Sequence, residues 1–273
     1  MSASVRVDHA PASRRFALAR TDPPVFERCG RPGQLPVLLV CDHASRAIPY
    51  ALADLGLSPA QLQRHIAWDI GAAALTRALA AHLELTALLS GYSRLVIDCN
   101  RRLEDPTSIA AVSDGCPIPG NVALCLAERQ RRAQACFWPY HAAIATELAA
   151  LQCAGTVPAL IAVHSFTPVM QDYARPWHCG VLWDRDPRIA APLLHALRAH
   201  GDVHIGDNEP YSGRHPAGYT TDVHAQAGGL AHVSLEIRQD LIDSPAGVAS
   251  WAERLCAALR PILAAASPYC RAG

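Results

Sequence analysis

Polar residues capable of metal binding and acid–base chemistry follow several short apolar segments of this 273-residue chain. Five such clusters stand out, at residues 42–45, 98–102, 164–167, 207–209 and 236–240. In an open parallel sheet, ligands bind at the carboxyl ends of the strands, so polar residues directly after an apolar segment are inspected first. A sheet that needed only stability would not place these residue types there repeatedly.

Two histidines are the leading candidates for metal ligands. His43 follows the segment LLVCD and His164 follows the segment LIAV, so both imidazoles emerge at one edge of the sheet if these strands are neighbours. A catalytic zinc site takes three protein ligands, drawn from histidine and carboxylate, and keeps a fourth position for water. The alternative is that both histidines only donate hydrogen bonds to the backbone, and the two residues alone leave this open.

Asp69 is the candidate for a third ligand. It lies in the segment HIAWDIG, between two Ala/Leu-rich stretches, and Gly71 allows the backbone there to approach another segment closely. The alternative role for Asp69 is the N-cap of the helix that runs through Leu75 and Leu79. The two roles are compatible with each other.

Three residues near position 100 could bind a substrate carboxylate. Asn100 and Arg101 follow an apolar segment, and Arg94 precedes it. The planar guanidinium of arginine matches a carboxylate through two hydrogen bonds, which lysine cannot do. The alternative is that an arginine here only forms a structural ion pair with a nearby acid, and this alternative is stronger for Arg102 than for Arg101. The acids close in sequence are Asp98, Glu104 and Asp105.

Glu236 is the candidate for a catalytic base. It ends the run HVSL, where a carboxylate could take a proton from water and return it to a leaving amine. Arg238 lies on the same side of the strand by period-2 alternation and could orient the carboxylate, or bind substrate. A purely structural Glu236–Arg238 salt bridge is the competing interpretation.

Four polar segments rich in proline and glycine are candidates for pocket-lining loops. They span residues 117–121, 175–178, 208–212 and 220–224. Each could equally be a turn held by its own proline or glycine. Ser165, Asn208, Tyr211 and His224 are taken as further candidates for substrate binding.

Composition excludes several classes of protein. The formal net charge is zero and no long basic run occurs, so the electrostatic footprint of a nucleic-acid or anionic-membrane binder is missing. The chain contains no lysine, which excludes Schiff-base chemistry and a P-loop. Serine hydrolases and zincins are disfavoured because neither G-x-S-x-G nor H-E-x-x-H occurs. The predicted partner is a small molecule, and the sequence carries no signal for an oligomeric state.

Cysteine usage favours a reduced, cytoplasmic protein. The ten cysteines include no C-x-x-C pair, and Cys41, Cys99 and Cys179 lie in apolar segments where free cysteine packs as a small hydrophobe. A cysteine nucleophile at Cys41 or Cys99 is formally possible, although strand packing explains both. The N-terminus does not resemble a signal peptide, and no apolar run reaches the roughly 20 residues that span a bilayer.

Short apolar segments alternate with Ala/Leu-rich amphipathic ones from Pro36 onward, which predicts an α/β fold with a mostly parallel sheet covered by helices. Strands are predicted at 37–41, 95–99, 159–163, 180–183, 203–206 and 232–237. Helix starts are predicted at Ser58-Pro59, Asp186-Pro187 and Ser244-Pro245. Residues 1–34 are predicted to form an N-terminal arm, and residues 35–273 a single catalytic domain.

Seven motifs together resemble the N-formylglutamate amidohydrolase family. They are CDHAS with a following IP, HIAWDIGA, SRLVIDCNR, PIPGN, HSFTP, NEPYS and LEIRQDLI, and they occur in the family's order between about residues 37 and 251. Any one of these motifs alone would be weak, but the ordered set is specific. The family is related in fold to zinc carboxypeptidases and aspartoacylase.

The resemblance implies a three-layer sandwich of the phosphorylase/hydrolase-like kind with a single zinc ion. It implies zinc on His43 and His164, with Glu236 as general base. Asn100 and Arg101 would bind a carboxylate, assisted by Arg94. Those zinc enzymes carry a glutamate ligand three residues after the first histidine, where this chain has Arg46. Asp69 is expected to replace it.

The activity implied by the resemblance is hydrolysis of the amide that links a formyl group to glutamate. The products would be formate and L-glutamate, as in histidine breakdown, and the substrate a small anionic N-acyl amino acid. One alternative is a deacylase for a different N-acyl amino acid with the same zinc site, because one fold serves several chemistries. The other is a non-catalytic binding protein that keeps the fold.

Overall fold

A computed structural model describes residues 16–31, 33–153, 156–199, 201–214, 218–265 and 267–269. The strands are β1 Phe26–Gly30, β2 Val37–Cys41, β3 Thr86–Ser90, β4 Val112–Ser113, β5 Cys116–Pro117, β6 Ala159–Phe166, β7 Val169–Met170, β8 Tyr173–Ala174, β9 Cys179–Leu182, β10 Ile205–Asp207 and β11 His232–Arg238. The α-helices are α1 Pro59–Leu62, α2 Ala72–Leu83, α3 Leu126–Arg132, α4 Trp138–Cys153, α5 Pro187–Arg198, α6 Tyr219–His224 and α7 Pro245–Ala264. A π-helical turn, Ala133–Phe137, joins α3 to α4.

Seven strands form the central sheet, in the order β1-β3-β2-β6-β11-β9-β10. The four central strands β3, β2, β6 and β11 are parallel to one another. At the edges, β1 is antiparallel to β3, and β9 is antiparallel to β11. The carboxyl ends of β2, β6 and β11 therefore lie side by side at one edge of the sheet, which is where the sequence predicts a site.

Helices cover both faces of the sheet, which confirms the predicted three-layer α/β sandwich. On the face that we call the apolar face, α2, α5 and α7 bury a continuous hydrophobic cluster that includes Leu75, Leu193 and Leu259. On the other face, which we call the polar face, α4 contributes a smaller cluster that includes Tyr140 and Ile144. Strands buried on both sides read as unbroken apolar runs, and this explains why most were recognisable in the sequence.

The predicted helix starts are also confirmed. Ser58 accepts a hydrogen bond from the Gln61 amide and Ser244 accepts one from the Gly247 amide, each followed by a proline in the first turn. Asp186 caps α5 in the same way. Within the described part of the chain, no helix combines the length and the apolar character needed to cross a membrane.

The predicted strand at 95–99 is wrong. Residues 95–99 form turns and irregular backbone, and the position beside β2 opposite β6 is taken by β3, Thr86–Ser90, which begins shortly after α2. The apolar side chains of 95–97 are buried, but they pack in two clusters outside the sheet, Val96 with Phe137 and Leu95 with Ile118. Cys99 packs in the cluster on the polar face of the sheet. Burial alone therefore produced the apolar run that predicted a strand.

Part of the predicted N-terminal arm is integrated into the sheet. Strand β1 lies within residues 1–34 and pairs along its length with β3. Phe16 is buried beside Tyr92 and Val96. Residues 1–15 and residue 32 of the arm lie outside the described residues, and a single catalytic domain at 35–273 remains a prediction.

Candidate metal centre

The fold brings His43, Asp69 and His164 together at the carboxyl edge of the sheet. His43 lies two residues beyond β2, and His164 lies within the neighbouring strand β6. Nδ1 of His43 lies 3.3 Å and Nδ1 of His164 3.0 Å from Oδ2 of Asp69. All three side chains are buried, and one ligand atom from each lies within 4.8 Å of the others.

Backbone contacts hold Asp69 at this point rather than at a helix cap. The Asp69 amide donates to the carbonyl of His43, at 2.9 Å. The N-cap of α2 is Gly71, whose φ of 81° is in the left-handed region, and a Cβ there would lie 2.2 Å from the carbonyl oxygen of Ile242. The N-cap alternative for Asp69 is therefore wrong, whereas the close approach expected at Gly71 is confirmed.

A second carboxylate faces the other ring nitrogen of each histidine. Nε2 of His43 lies 2.7 Å from Oδ1 of Asp98, and Nε2 of His164 lies 3.4 Å from Oδ2 of Asp42. A carboxylate only accepts hydrogen bonds, so each ring nitrogen can donate to the carboxylate it faces, and an imidazole that gives its Nδ1 lone pair to a metal ion keeps its proton on Nε2. Carboxylate–histidine pairs of this kind fix the orientation of metal-binding imidazoles.

Both supporting carboxylates are themselves held in place. Oδ1 of Asp42 accepts hydrogen bonds from the hydroxyls of Tyr140, at 3.0 Å, and Thr220, at 2.8 Å. Asp98 accepts from the Asn100 amide, at 2.8 Å, and pairs with Arg94. The sequence analysis assigned no role in the site to Asp42, although it directly precedes His43.

The electrostatics of the cluster favour a cation among the ligand atoms. Burial by itself would raise the pKa of Asp69, but the charge of His43 and the hydrogen bonds from both histidines lower that pKa overall. Burial would lower the pKa of His164, yet hydrogen bonds to Asp42 and Asp69 raise it well above its usual range. The carboxylates therefore stabilise positive charge at this point.

The residues present fit a divalent metal ion such as zinc. Two imidazole nitrogens and one carboxylate oxygen are a donor set found in catalytic zinc sites. Their convergence, with both imidazoles oriented by Asp98 and Asp42, matches what an ion with nitrogen and oxygen ligands requires. Arg46, which occupies the position of the glutamate ligand in the related zinc enzymes, is exposed, and its guanidinium lies 5.6 Å from the ring centroid of Trp68.

Glu236 lies alongside His164 on the adjacent strand, where the two residues are direct partners in the β6–β11 register. It is 7% exposed, and its Oε2 has no hydrogen-bond partner among the described residues. Burial raises the pKa of Glu236 to about 7, against the opposing charge of His164. A carboxyl with a pKa near neutrality can exchange a proton in either direction, as a general base requires.

The expected pairing of Glu236 with Arg238 is wrong. The Arg238 guanidinium pairs with Asp240, with Nε 2.8 Å from Oδ1, and also reaches the carbonyl of Arg175. Among the described contacts, none joins it to Glu236. The guanidinium is thus engaged by Asp240, two residues further along, and neither proposed role with Glu236 is supported.

Arg94 and Arg101 both lie beside Asp98. Arg94 donates to Asp69 at 3.2 Å and to Asp98 at 3.1 Å, and so braces two carboxylates of the cluster. Nε of Arg101 lies 3.3 Å from Asp98, and its Nη1 lies 3.6 Å from Asp105, with 42% of the side chain exposed. The structural ion-pair alternative therefore describes Arg94 and also Arg101, although much of the Arg101 side chain stays exposed. The expectation that this alternative applies more strongly to Arg102 is wrong, because among the described contacts Arg102 lies beside Asp222 and not beside the acids close to it in sequence.

Asn100 and Ser165 occupy different positions in the site. Asn100 shares a cavity wall with His164 and Glu236, and its Oδ1 accepts from the Thr220 amide. Ser165 faces the backbone, since its hydroxyl donates to the carbonyl of Ile70 and its amide to Asp69. Ser165 therefore positions Asp69, and Asn100 borders the space next to the candidate base.

The three remaining candidates for substrate binding differ in how far other residues engage them. Oδ1 of Asn208 accepts from the amides of Trp183 and Gly213, which ties two loops together. The His224 ring stacks on His141, with centroids 5.2 Å apart, and Nε2 of His224 is 3.0 Å from Nδ1 of His141. Tyr211 is 40% exposed, and burial together with the negative charge of Glu236 raises the pKa of its hydroxyl.

The alternative of a cysteine nucleophile receives no support. Cys41 and Cys99 are buried, and burial raises the pKa of both thiols well above its usual value. A thiol nucleophile needs a lowered pKa and access to substrate. Both cysteines therefore pack as small apolar residues, as expected from their positions in apolar segments.

Comparison with known proteins reveals one matching family and several similar structures. A family model for N-formylglutamate amidohydrolases matches residues 35–243. The crystal structure of a gene product from Agrobacterium tumefaciens is 35% identical, with 90% of this chain and 98% of that chain covered and a TM-score of 0.85. Curated protein sequences include no match to this chain.

A second solved structure shares the fold at lower identity. It is an N-formylglutamate amidohydrolase from Ralstonia eutropha JMP134, 22% identical, and the alignment covers 87% of this chain and 96% of that chain with a TM-score of 0.63. The family match, residues 35–243, includes the candidate metal ligands His43, Asp69 and His164 as well as Glu236.

Proposed function

Because this chain belongs to the N-formylglutamate amidohydrolase family, we propose that it is a zinc-dependent hydrolase that converts N-formyl-L-glutamate, or a closely similar N-acyl amino acid, to the free amino acid and a carboxylate. The reaction adds water across the amide C–N bond. The acyl carbon gains the hydroxyl oxygen, and the amine nitrogen leaves with a proton. For the formyl substrate, the products are formate and L-glutamate.

His43, Asp69 and His164 would hold the metal, through the two Nδ1 atoms and a carboxylate oxygen of Asp69. A zinc ion supplies Lewis acidity, which polarises a carbonyl oxygen and makes water easier to deprotonate. Asp98 and Asp42 keep the two imidazoles in the required tautomer and orientation. Arg94 forms ion pairs with the carboxylates of both Asp69 and Asp98, so that neither buried anion lacks a cationic partner.

Glu236 would move the proton. Its unpartnered Oε2 accepts a proton from the attacking water and then donates it to the nitrogen of the leaving amine. The raised pKa of Glu236, about 7, suits both halves of this transfer. Enclosure of the carboxyl beside His164 keeps bulk water from competing as the proton acceptor.

Asn100 and Arg101 would bind a carboxylate of the substrate at the rim. Arg101 keeps its guanidinium 42% exposed although it touches Asp98 and Asp105, so an arriving carboxylate can approach it. Asn100 lines the cavity next to Glu236. The partner implied by these residues is a small anionic molecule.

One observation carries the proposal. Nδ1 of His43 and Nδ1 of His164 converge on a single oxygen of Asp69, and Glu236 is the strand neighbour of His164. This arrangement combines a metal-binding triad with a proton carrier in one buried cluster. A fold that needed the two histidines only for hydrogen bonds to the backbone would not require either feature.

The test combines metal analysis with an assay of formate release. Purified protein is expected to contain one zinc ion per chain, measured by inductively coupled plasma mass spectrometry, and to release formate from N-formyl-L-glutamate. His43→Ala and His164→Ala should each lose both the zinc and the activity. His195→Ala, which alters an exposed histidine on α5, is the matched control and should lose neither.

Two results would contradict the proposal. Full hydrolysis by both metal-site variants would exclude the metal-dependent mechanism. Faster release of another acyl group, for example acetate from N-acetyl-L-glutamate, would reassign the substrate while the site chemistry stands.

A further inference from the structure

A buried arginine near the metal centre has no role in the machinery described so far. Arg175 directly follows β8 and is 8% exposed. Its amide donates to the carbonyl of Pro168, which closes a loop after β6. Its guanidinium carbon lies 5.7 Å from the ring centroid of Phe166, two residues beyond His164 and on the same side of that strand. Arg175 therefore stands at the edge of the sheet that carries the site.

The contacts of the Arg175 guanidinium leave its charge uncompensated. Nη1 donates to the hydroxyl of Tyr211, at 3.0 Å, and to the carbonyl of Thr167, at 3.4 Å. Among the described residues, no carboxylate pairs with this guanidinium, and no residue accepts from its Nε or Nη2. Buried arginines are normally paired or fully hydrogen-bonded, because an unpaired buried charge is costly.

The other arginines around the site differ in this respect. Arg94 pairs with Asp69 and Asp98. Arg101 lies beside Asp98, and Arg238 pairs with Asp240. Arg175 thus combines deep burial with a free positive charge, whereas each of these neighbours is already matched by an acid of the chain itself.

Tyr211 completes a binding geometry with Arg175. Its ring lies 5.0 Å from the guanidinium carbon, and its oxygen accepts the hydrogen bond from Nη1. The hydroxyl proton is then free to be donated to another acceptor. Tyr211 is 40% exposed, so it connects the buried guanidinium to solvent. Among the described residues, the donors of this pair that lack an acceptor are Nε and Nη2 of Arg175 and the hydroxyl of Tyr211.

We propose that Arg175 and Tyr211 form a carboxylate-binding subsite that selects N-acyl amino acids with an acidic side chain. The inference rests on the proposed function for the reaction itself, and it adds the determinant of substrate class. The site then has two anion contacts, Arg101 at the exposed rim and Arg175 in the interior. A substrate with one carboxylate can bind at Arg101, which already lies beside Asp98, and leaves the charge of Arg175 uncompensated, whereas a dicarboxylate can also bind Arg175.

The experiment compares two substrates that differ only in side-chain charge, N-formyl-L-glutamate and N-formyl-L-glutamine. For the wild type, kcat/KM is expected to be higher for the glutamate compound. In Arg175→Gln, this preference should fall on the order of 10- to 100-fold, which is the scale of a lost charge-assisted hydrogen bond. The loss should appear mainly as a higher KM for the glutamate compound. Arg175→Lys should recover part of the preference, and Tyr211→Phe should lose less of it.

Arg260→Gln is the matched control, because this substitution removes the same charge away from the site. Arg260 contacts the carbonyl of His82 at the C-terminal end of α2. Zinc content and melting temperature are recorded for every variant. An equal loss of kcat/KM on both substrates in Arg175→Gln, or no loss on either, overturns the subsite.

Binding of L-glutamate and L-glutamine, measured by calorimetry, separates this inference from the proposed function. If the wild type releases no formate but binds L-glutamate more tightly than L-glutamine, and Arg175→Gln abolishes that difference, the subsite stands without the reaction. If the wild type hydrolyses N-formyl-L-glutamate while neither kinetics nor binding distinguishes acid from amide, the reaction stands and the subsite fails.

Discussion

The two faces of the central sheet are built on opposite principles. On the apolar face, α2, α5 and α7 pack hydrocarbon against the strands, with Leu75, Leu193 and Leu259 completely buried. On the polar face, near the carboxyl ends of the strands, Asp42 and Glu236 are also buried although they carry titratable groups. The strands contribute to both faces through alternate positions, as Leu235 and Glu236 of β11 do.

The difference separates stability from chemistry. Apolar contacts are non-directional, so truncation of one buried leucine changes the free energy of unfolding while its neighbours largely keep their positions. Buried polar groups need partners, and on the polar face Tyr140 and Thr220 donate hydrogen bonds to one oxygen of Asp42, whose other oxygen lies 3.4 Å from Nε2 of His164. We expect substitutions on the polar face to alter metal binding and turnover, and those on the apolar face to alter stability.

The largest effect is expected for Glu236→Gln. The amide cannot accept a proton from water, so kcat should fall by about 10²- to 10⁴-fold while zinc content and melting temperature are retained. Formate release and metal analysis on the same preparation measure both. Glu253→Gln, an exposed residue of α7, is the control and should behave as wild type. Loss of zinc from Glu236→Gln would make this residue a metal ligand rather than a proton carrier.

On the apolar face, Leu259→Ala should lower the free energy of unfolding by about 2–5 kcal/mol, because it leaves a cavity in the main cluster. Zinc stoichiometry and kcat below the melting temperature should remain those of the wild type. Denaturant titration and metal analysis measure the two quantities. If this variant folds normally yet loses zinc or turnover, the two faces are energetically coupled. That result would contradict the assignment of stability to the apolar face and of chemistry to the polar face.

A smaller effect is expected for Asp98→Asn, which keeps the shape of the side chain but weakens its hold on Nε2 of His43. Loss of such a supporting carboxylate typically lowers metal affinity by about 10- to 100-fold. Competition with a chelator of known affinity measures it, and Glu104→Gln, which alters an exposed acid nearby, serves as the control. Unchanged zinc affinity would show that Asp98 serves Arg94 and the backbone rather than the imidazole.

Much of the fold follows from local sequence signals. The apolar strands β2, β6 and β11 were predictable because strands buried on both faces need unbroken apolar runs. Each cap-and-proline pair marked a helix start because its hydrogen bond spans only two or three residues. Residues 95–99 misled the same reasoning, since burial outside the sheet produces the same apolar composition as a strand.

The sequence by itself also determined which residue types stand at the ends of the strands, and so the identity of His43, His164 and Glu236 as candidates. Only the tertiary structure decided what each of them contacts. Asp69 and Asp98 reach His43 across 26 and 55 residues of chain, and Asp69 reaches His164 across 95. Ion pairing depends on distance in space and on which charges are already matched, and neither is encoded by spacing along the chain. For that reason Arg238 and Arg175 could not be told apart by sequence, although within the described part of the chain the first is paired with an acid and the second is not.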